Sequence, residues 1–120
     1  MTKEELVKNL KKLSQTSGRT LNDEAVDLWM DCFGELPVKL FEKMVVNYAK
    51  NNKFFPTVSE MFLELDVMRI HLSSEFNWER CKREFPDGRM SPKYTDVEYA
   101  ELQKNLEIVN RMTEDRLNGM

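Results

Sequence analysis

Glycine and proline are scarce in this sequence, four of each in 120 residues, so the chain has few places to break. Elements between such breaks must be long, and long elements are helices. Histidine is scarcer still. His71 stands alone inside a helical pattern, with no cysteine or acid at metal-ligand spacing, and reads as a surface or partly buried side chain. The two cysteines, Cys32 and Cys81, have no CxxC companions and fall where their helices look buried. They read as free thiols in a reducing compartment, and neither a zinc site nor a disulfide is expected. No glycine-rich strand-to-helix turn is present, which removes nucleotide-binding loops of either common kind. No apolar run approaches the roughly 20 residues of a membrane span, and nothing ahead of the first helical pattern reads as a signal peptide. The expectation is a cytoplasmic protein with no cofactor and no membrane contact.

What is present points to binding rather than catalysis. Apolar residues make up 41% of the chain, enough for one modest core, and charged residues 32%, which implies long solvated helix faces. The net charge of −3 argues against strong direct binding of nucleic acid, because that affinity comes from neutralising phosphates with Lys and Arg. The charge is also uneven: residues 1–53 carry 9 Lys and Arg against 8 Asp and Glu, and residues 54–120 carry 9 against 13. Carboxylates are plentiful, but on helices this charged they face solvent, and no pair stands out for acid–base work. A non-enzymatic protein that binds another protein is the reading these features favour.

The helical pattern can be followed along the chain. Thr2 with Glu4 and Glu5 starts a first helix, whose apolar stripe is Leu6, Leu10 and Leu13 with Val7 beside it, and Ser17-Gly18 closes it. A second begins at Thr20 or Asn22. Its buried face is Ala25, Trp29, Cys32 and Phe33, widened by Val26 and Leu28, and Gly34 supplies the residue after its end. Pro37 suits the first turn of a third helix lined by Phe41, Met44, Val45 and Tyr48, with Leu40 and Ala49 adjacent, which Asn51-Asn52-Lys53 stops. Thr57 and Glu60 have the spacing of a capping box and start a fourth, with Pro56 setting an extended approach that lays Phe54 and Phe55 on the preceding helix. Its stripe runs through Met61, Phe62, Leu65, Met68 and Leu72 and, with or without a break near Ser73-Ser74, on through Trp78, Cys81 and Phe85.

Pro86-Asp87-Gly88 is a turn and the best boundary in the chain. It separates a helical domain, residues 1–86, from a linker and C-terminal helical segment, residues 87–120, that the turn would leave free to move. The expected fold is therefore all-α, a small bundle of about four helices followed by a separable helix. That last helix starts near Thr95, with Glu98 at capping-box spacing, and carries Tyr99, Leu102, Leu106 and Val109 as a narrow seam of the coiled-coil kind. The seam must bury itself, either on the first four helices or on a partner. Trp29, Phe41 and Tyr48 at helical spacing read as core rather than as a base-stacking platform, and Met44, Met61 and Met68 likewise.

Several of these residues carry a resemblance. Leu28-Trp29-Met30 in the second helix is followed by the turn Gly34-Glu35-Leu36-Pro37 and by Tyr48-Ala49-Lys50 near the end of the third. Then comes Phe54-Phe55-Pro56-Thr57-Val58-Ser59-Glu60-Met61. Over about residues 5–68 the chain resembles the N-terminal helical domain of helicase loader/inhibitor proteins from phages of Gram-positive bacteria, whose signature reads F-x-P-T-hydrophobic-small-E-hydrophobic. The resemblance implies an accessory protein without an ATPase module that binds the replicative hexameric helicase, holds it inactive and delivers it to the origin. An origin-binding replication protein would be a second partner, and the chain a monomer or weak dimer.

On this reading Trp29, Phe41, Tyr48, Phe55, Pro56, Thr57 and Glu60 hold the fold. Tyr99, Leu102, Leu106, Val109 and Met112 contact the helicase. In the family a flexible C-terminal part makes that contact, whereas here the last segment is strongly helix-patterned. A segment that folds on its partner and a helix ordered throughout both fit it. Two other readings compete. One is a small DNA-binding regulator using the helices around Gly34 and Pro37, although Val38-Lys39-Leu40-Phe41 is too apolar for a recognition helix. The other is a structural interaction protein that self-associates through its last helix.

Overall fold

A computed structural model of the chain describes residues 1–17, 21–85 and 92–118, with side chains for 1–14, 21–85 and 92–115. The described residues form five helices and no strand: α1 Lys3–Ser17, α2 Asp23–Phe33, α3 Val38–Asn51, α4 Val58–Glu84 and α5 Asp96–Asn118. The expected stop at Ser17-Gly18 reaches, and the alternative cap Thr20 occupies, positions outside the described residues. So do the boundary at Pro86-Asp87-Gly88 and Ser91 of the segment after it. Contacts divide the chain into two units, Met1–Leu65 and Asp66–Met120, with the division inside α4.

The first unit is assembled from capped amphipathic helices. Thr2 and Glu5 form a reciprocal capping box at the start of α1: the Glu5 N–H donates to Thr2 Oγ1 at 3.2 Å and the Thr2 N–H to Glu5 Oε1 at 2.8 Å. Leu6, Leu10 and Leu13 are buried as their spacing requires, and α1 lies on α3 and α2. Asn22 is the cap of α2, its Oδ1 accepting from the Ala25 N–H at 2.7 Å. The face α2 buries is narrower than expected. Val26, Trp29 and Phe33 are buried, Ala25 and Cys32 only half-buried, and Leu28 is exposed. The positions i, i+3 and i+7 face the core, and the residues one step to either side sit at its rim.

Two details of the α2–α3 turn differ from the expectation. Gly34 ends α2 with right-handed backbone angles (φ −59°, ψ −27°), so no left-handed turn calls for glycine there. The cause is closeness: a Cβ at this position would lie 2.5 Å from the Met30 carbonyl oxygen and 3.2 Å from its terminal methyl. Pro37 stands one residue ahead of α3, as its cap, and its carbonyl accepts from the N–H groups of Leu40 and Phe41. Between them Leu36 is fully buried, joining Leu40, Phe41, Met44, Val45 and Tyr48 of α3 in the core. Asn52 ends that helix, its side chain donating to the Tyr48 carbonyl at 3.1 Å.

In the second unit α4, unbroken at Ser73-Ser74, meets α5 in antiparallel fashion: Glu79 touches Tyr94, and Phe76, further from the end of α4, touches Tyr99. The stripe α4 buries differs from the expected one beyond Leu72. Trp78, Cys81 and Phe85 are exposed, and the inward positions belong instead to half-buried Phe76 and fully buried Glu79. Counting 65, 68, 72, 76, 79 stays on one side of the helix, whereas 78, 81 and 85 fall on the other. Cys81 is therefore not a core residue. On α5 the Thr95–Glu98 capping box forms as expected, with bonds of 3.1 and 3.2 Å.

Candidate functional site

The residues expected to hold the fold come together at the end of α2. Trp29 is the hub: its ring lies 5.4 Å from Phe33, 6.5 Å from Phe41 and 5.9 Å from Phe55, the last two edge-on. Phe33 extends the cluster to Phe62 at 4.8 Å. Edge-to-face and tilted pairs at these distances add about 0.5–1.5 kcal/mol each beyond the apolar area they bury. Pro56 is buried beside Phe55 in sequence, but Phe54 is not where the sequence placed it. It is 82% exposed, because an extended approach turns alternate side chains to opposite sides and only Phe55 can face the cluster.

The start of α4 is tied to α3 by one carboxylate. Thr57 and Glu60 exchange hydrogen bonds of 3.1 Å, and Glu60 Oε2 accepts from the Tyr48 hydroxyl at 3.0 Å. The Thr57 N–H, then the Tyr48 hydroxyl, hold the Glu60 carboxyl below the usual carboxylate range. Desolvation, followed by the hydrogen bond to Glu60, pushes the Tyr48 phenol up. Tyr48 thus links the F-x-P-T-x-x-E signature to the third helix, a connection that sequence spacing alone does not reveal.

The seam residues sit on α5, three of them buried and two half-buried. Leu102 is 7% exposed, Val109 0% and Met112 7%, while Tyr99 and Leu106 are intermediate. A polar clasp fastens the start of this helix to α4. Arg83 donates to Asp96 Oδ1 and to the Tyr94 carbonyl, both at 2.7 Å, and its guanidinium lies 4.3 Å over the Tyr99 ring, which stacks on Phe76 at 5.3 Å. Glu79, 1% exposed, accepts from the Tyr94 N–H at 2.9 Å, with the cationic groups of Lys82 and Arg83 within 3.9 Å. Burial pushes its carboxyl up, but the N–H groups of Tyr94 and Lys93 and the two cations outweigh it, and the net shift is downward. Tyr94 completes the clasp through its hydroxyl, which donates to Glu75 at 2.8 Å. None of these partners was legible as such, although Glu79 on the inward stripe was a signal that an acid there needs donors.

Residues 1–62 match the family model of the N-terminal domain of the phage SPP1 helicase loader/inhibitor. The chain belongs to this family. The match spans just over half of the chain and contains every residue of the aromatic cluster and of the Thr57–Glu60–Tyr48 link. No curated protein and no solved structure matches the chain. The loader/inhibitor family is one of non-enzymatic accessory proteins. Among the described residues no group of three His, Cys, Asp or Glu side chains could hold a metal ion. No described helix is long and apolar enough to cross a membrane.

What this family member does present is exposed apolar surface. Leu28, Val46, Phe54 and Leu63 are exposed in the first unit, and Val67, Ile70, Trp78, Phe85 and Val97 in the second. His71 is exposed and isolated, as its surroundings in the sequence implied. The five seam residues lie beyond the stretch that matches the family.

Proposed function

We propose that this chain is a phage or prophage replication accessory protein that binds the replicative hexameric helicase. It holds the ring in a form that neither hydrolyses ATP nor translocates, until an origin-bound replication protein takes over and the helicase is delivered. The observation that carries this reading is the family match over residues 1–62, with its signature residues gathered around Trp29 and Tyr48. The mechanism is stoichiometric: binding energy, not chemistry, restrains the ring.

In this proposal Tyr99, Leu102, Leu106, Val109 and Met112 meet the helicase. Because Leu102, Val109 and Met112 are buried in the free chain, contact requires α5 to let go of α4 first. The apparent affinity is then the intrinsic one reduced by the fraction of chains in which α5 is released. Titrating the full chain into a replicative hexameric helicase should drive ATP hydrolysis to background at a stoichiometric ratio. Hydrolysis that stays at its starting rate in a large excess of the chain would rule out the restraining role.

A further inference from the structure

The first unit separates its charges by helix. α2 carries Asp23, Glu24, Asp27 and Asp31 and no Lys or Arg, whereas α3 carries Lys39, Lys43 and Lys50 against the single acid Glu42. On α2 the exposed residues Glu24, Leu28 and Asp31 form an outward row, on the side away from buried Val26, Trp29 and Phe33. On α3 the exposed residues Lys43, Val46 and Lys50 form another, away from Leu40, Phe41, Met44 and Tyr48. Each row holds one apolar residue, Leu28 at 54% and Val46 at 45% exposed, between two charges of one sign. Among the described residues none of these four charges forms an ion pair within its own chain.

We propose that the outward face of α2 docks antiparallel on the outward face of α3 of a second copy of the chain, with Leu28 against Val46. At that register Glu24 comes level with Lys50 and Asp31 with Lys43, so both flanking pairs are of opposite charge. Charge decides the direction. With the same apolar contact and the helices parallel, Glu24 would fall level with Glu42 and Asp31 with Ala49. Charge and apolarity together decide the register, since sliding the antiparallel pair by four residues sets Leu28 level with Glu42 or with Lys50. Val46 lies in a shallow hollow that Lys39, Lys43 and Asn47 also line, and Leu28 enters it.

The flanks set the strength of the pairing. Asp27, already 3.3 Å from Lys3 of its own chain, comes level with Asn47. Glu42 comes near Asp31, the one like-charged approach, and Lys39, a turn earlier on α3, offsets it. Two exposed ion pairs and one apolar contact make the association weak, and salt weakens it further. The contact joins unlike faces, so every copy carries one of each, and it repeats from copy to copy unless it closes on itself. It is independent of the helicase and forms in the chain alone.

Sedimentation velocity of the full chain at low salt, up to about 1 mM, should show an average mass that rises with concentration, and about 0.5 M salt should lower it. Asp31→Lys and Lys43→Asp each weaken the association by about tenfold while leaving the thermal unfolding midpoint near that of the parent, since both side chains lie outside the core. A chain carrying both substitutions regains it, because the pair is restored with its signs exchanged. Direction is tested by oxidation of chains carrying Cys32→Ala and Cys81→Ala. A Glu24→Cys chain should link to a Lys50→Cys chain but not to a Glu42→Cys chain, whose cysteine would lie about 12 Å away along the axis. A chain that stays monomeric throughout this range at low salt overturns the proposal. So does an association that the double exchange fails to restore, and so does Glu24→Cys linking to Glu42→Cys as readily as to Lys50→Cys, which would mean parallel pairing.

Discussion

Replacing Arg83 with methionine should loosen α5 from α4 without unfolding the first unit. The methionine keeps most of the aliphatic stem and removes the guanidinium, which in the clasp makes two hydrogen bonds and a ring contact besides its 3.8 Å ion pair with Glu79. The bond to the Tyr94 carbonyl is charge-assisted and contributes about 1.5 kcal/mol. Asp96 is almost fully exposed, so its ion pair adds roughly 0.3 kcal/mol. Stacking over Tyr99 adds about 0.7 kcal/mol. The sum, about 2.5 kcal/mol, corresponds to a roughly 70-fold change in an opening equilibrium. Hydrogen exchange followed by mass spectrometry should show the amides at the start of α5 exchanging faster by about that factor, with α1–α3 unchanged. Acid should have a parallel effect on the parent chain. The Glu79 carboxyl is depressed in the folded state, so its stabilisation is present above the unfolded carboxylate range and lost as pH falls through its lowered value. Unaltered α5 protection in Arg83→Met, or equal loss of protection in α1–α3, would refute the clasp.

Four further substitutions test the first unit. Phe55→Ala should cost about 3 kcal/mol in urea unfolding, whereas Phe54→Ala should stay within about 0.5 kcal/mol; equal costs would contradict the one-sided placement of the pair. Thr57→Ala should cost about 1 kcal/mol through loss of the capping box. It should also shrink the part of the stability curve that is present above the usual carboxylate range and disappears as pH falls through the lowered Glu60 value, and an unchanged acid limb would count against the link. Gly34→Ala should destabilise by on the order of 1–3 kcal/mol, because its Cβ would press on the Met30 carbonyl. A neutral result in thermal unfolding would show that the turn relaxes freely.

The helices were legible because three kinds of signal agreed. Apolar spacing placed Leu6, Leu10 and Leu13, and Phe41, Met44, Val45 and Tyr48, in the core where they are found. Caps at Asn22, Thr57 and Thr95 marked starts to within a residue. Resemblance on Trp29 and the Phe54–Met61 run identified the family that residues 1–62 match. What escaped was orientation around a helix axis. Trp78, Cys81 and Phe85 continue the α4 pattern if one counts by apolarity, but α4 is apolar on two opposite sides over its second half, and only tertiary contact decides which is covered. Phe54 failed for the same reason on an extended segment. The clasp escaped because Glu79 and Arg83 pair with Tyr94, 11 to 15 residues on, and no local rule connects residues so separated in sequence.

The most direct test of the account is sedimentation of the full chain with a replicative hexameric helicase and ATP, comparing the parent with Arg83→Met. The account predicts that the parent co-sediments with the ring, and that Arg83→Met binds more tightly, by up to about 70-fold, because less free energy is spent releasing α5. A ring that sediments alone in both mixtures would contradict helicase binding. Binding by the parent that is not strengthened in Arg83→Met would contradict the release of α5 and move the contact to a surface exposed in the free chain.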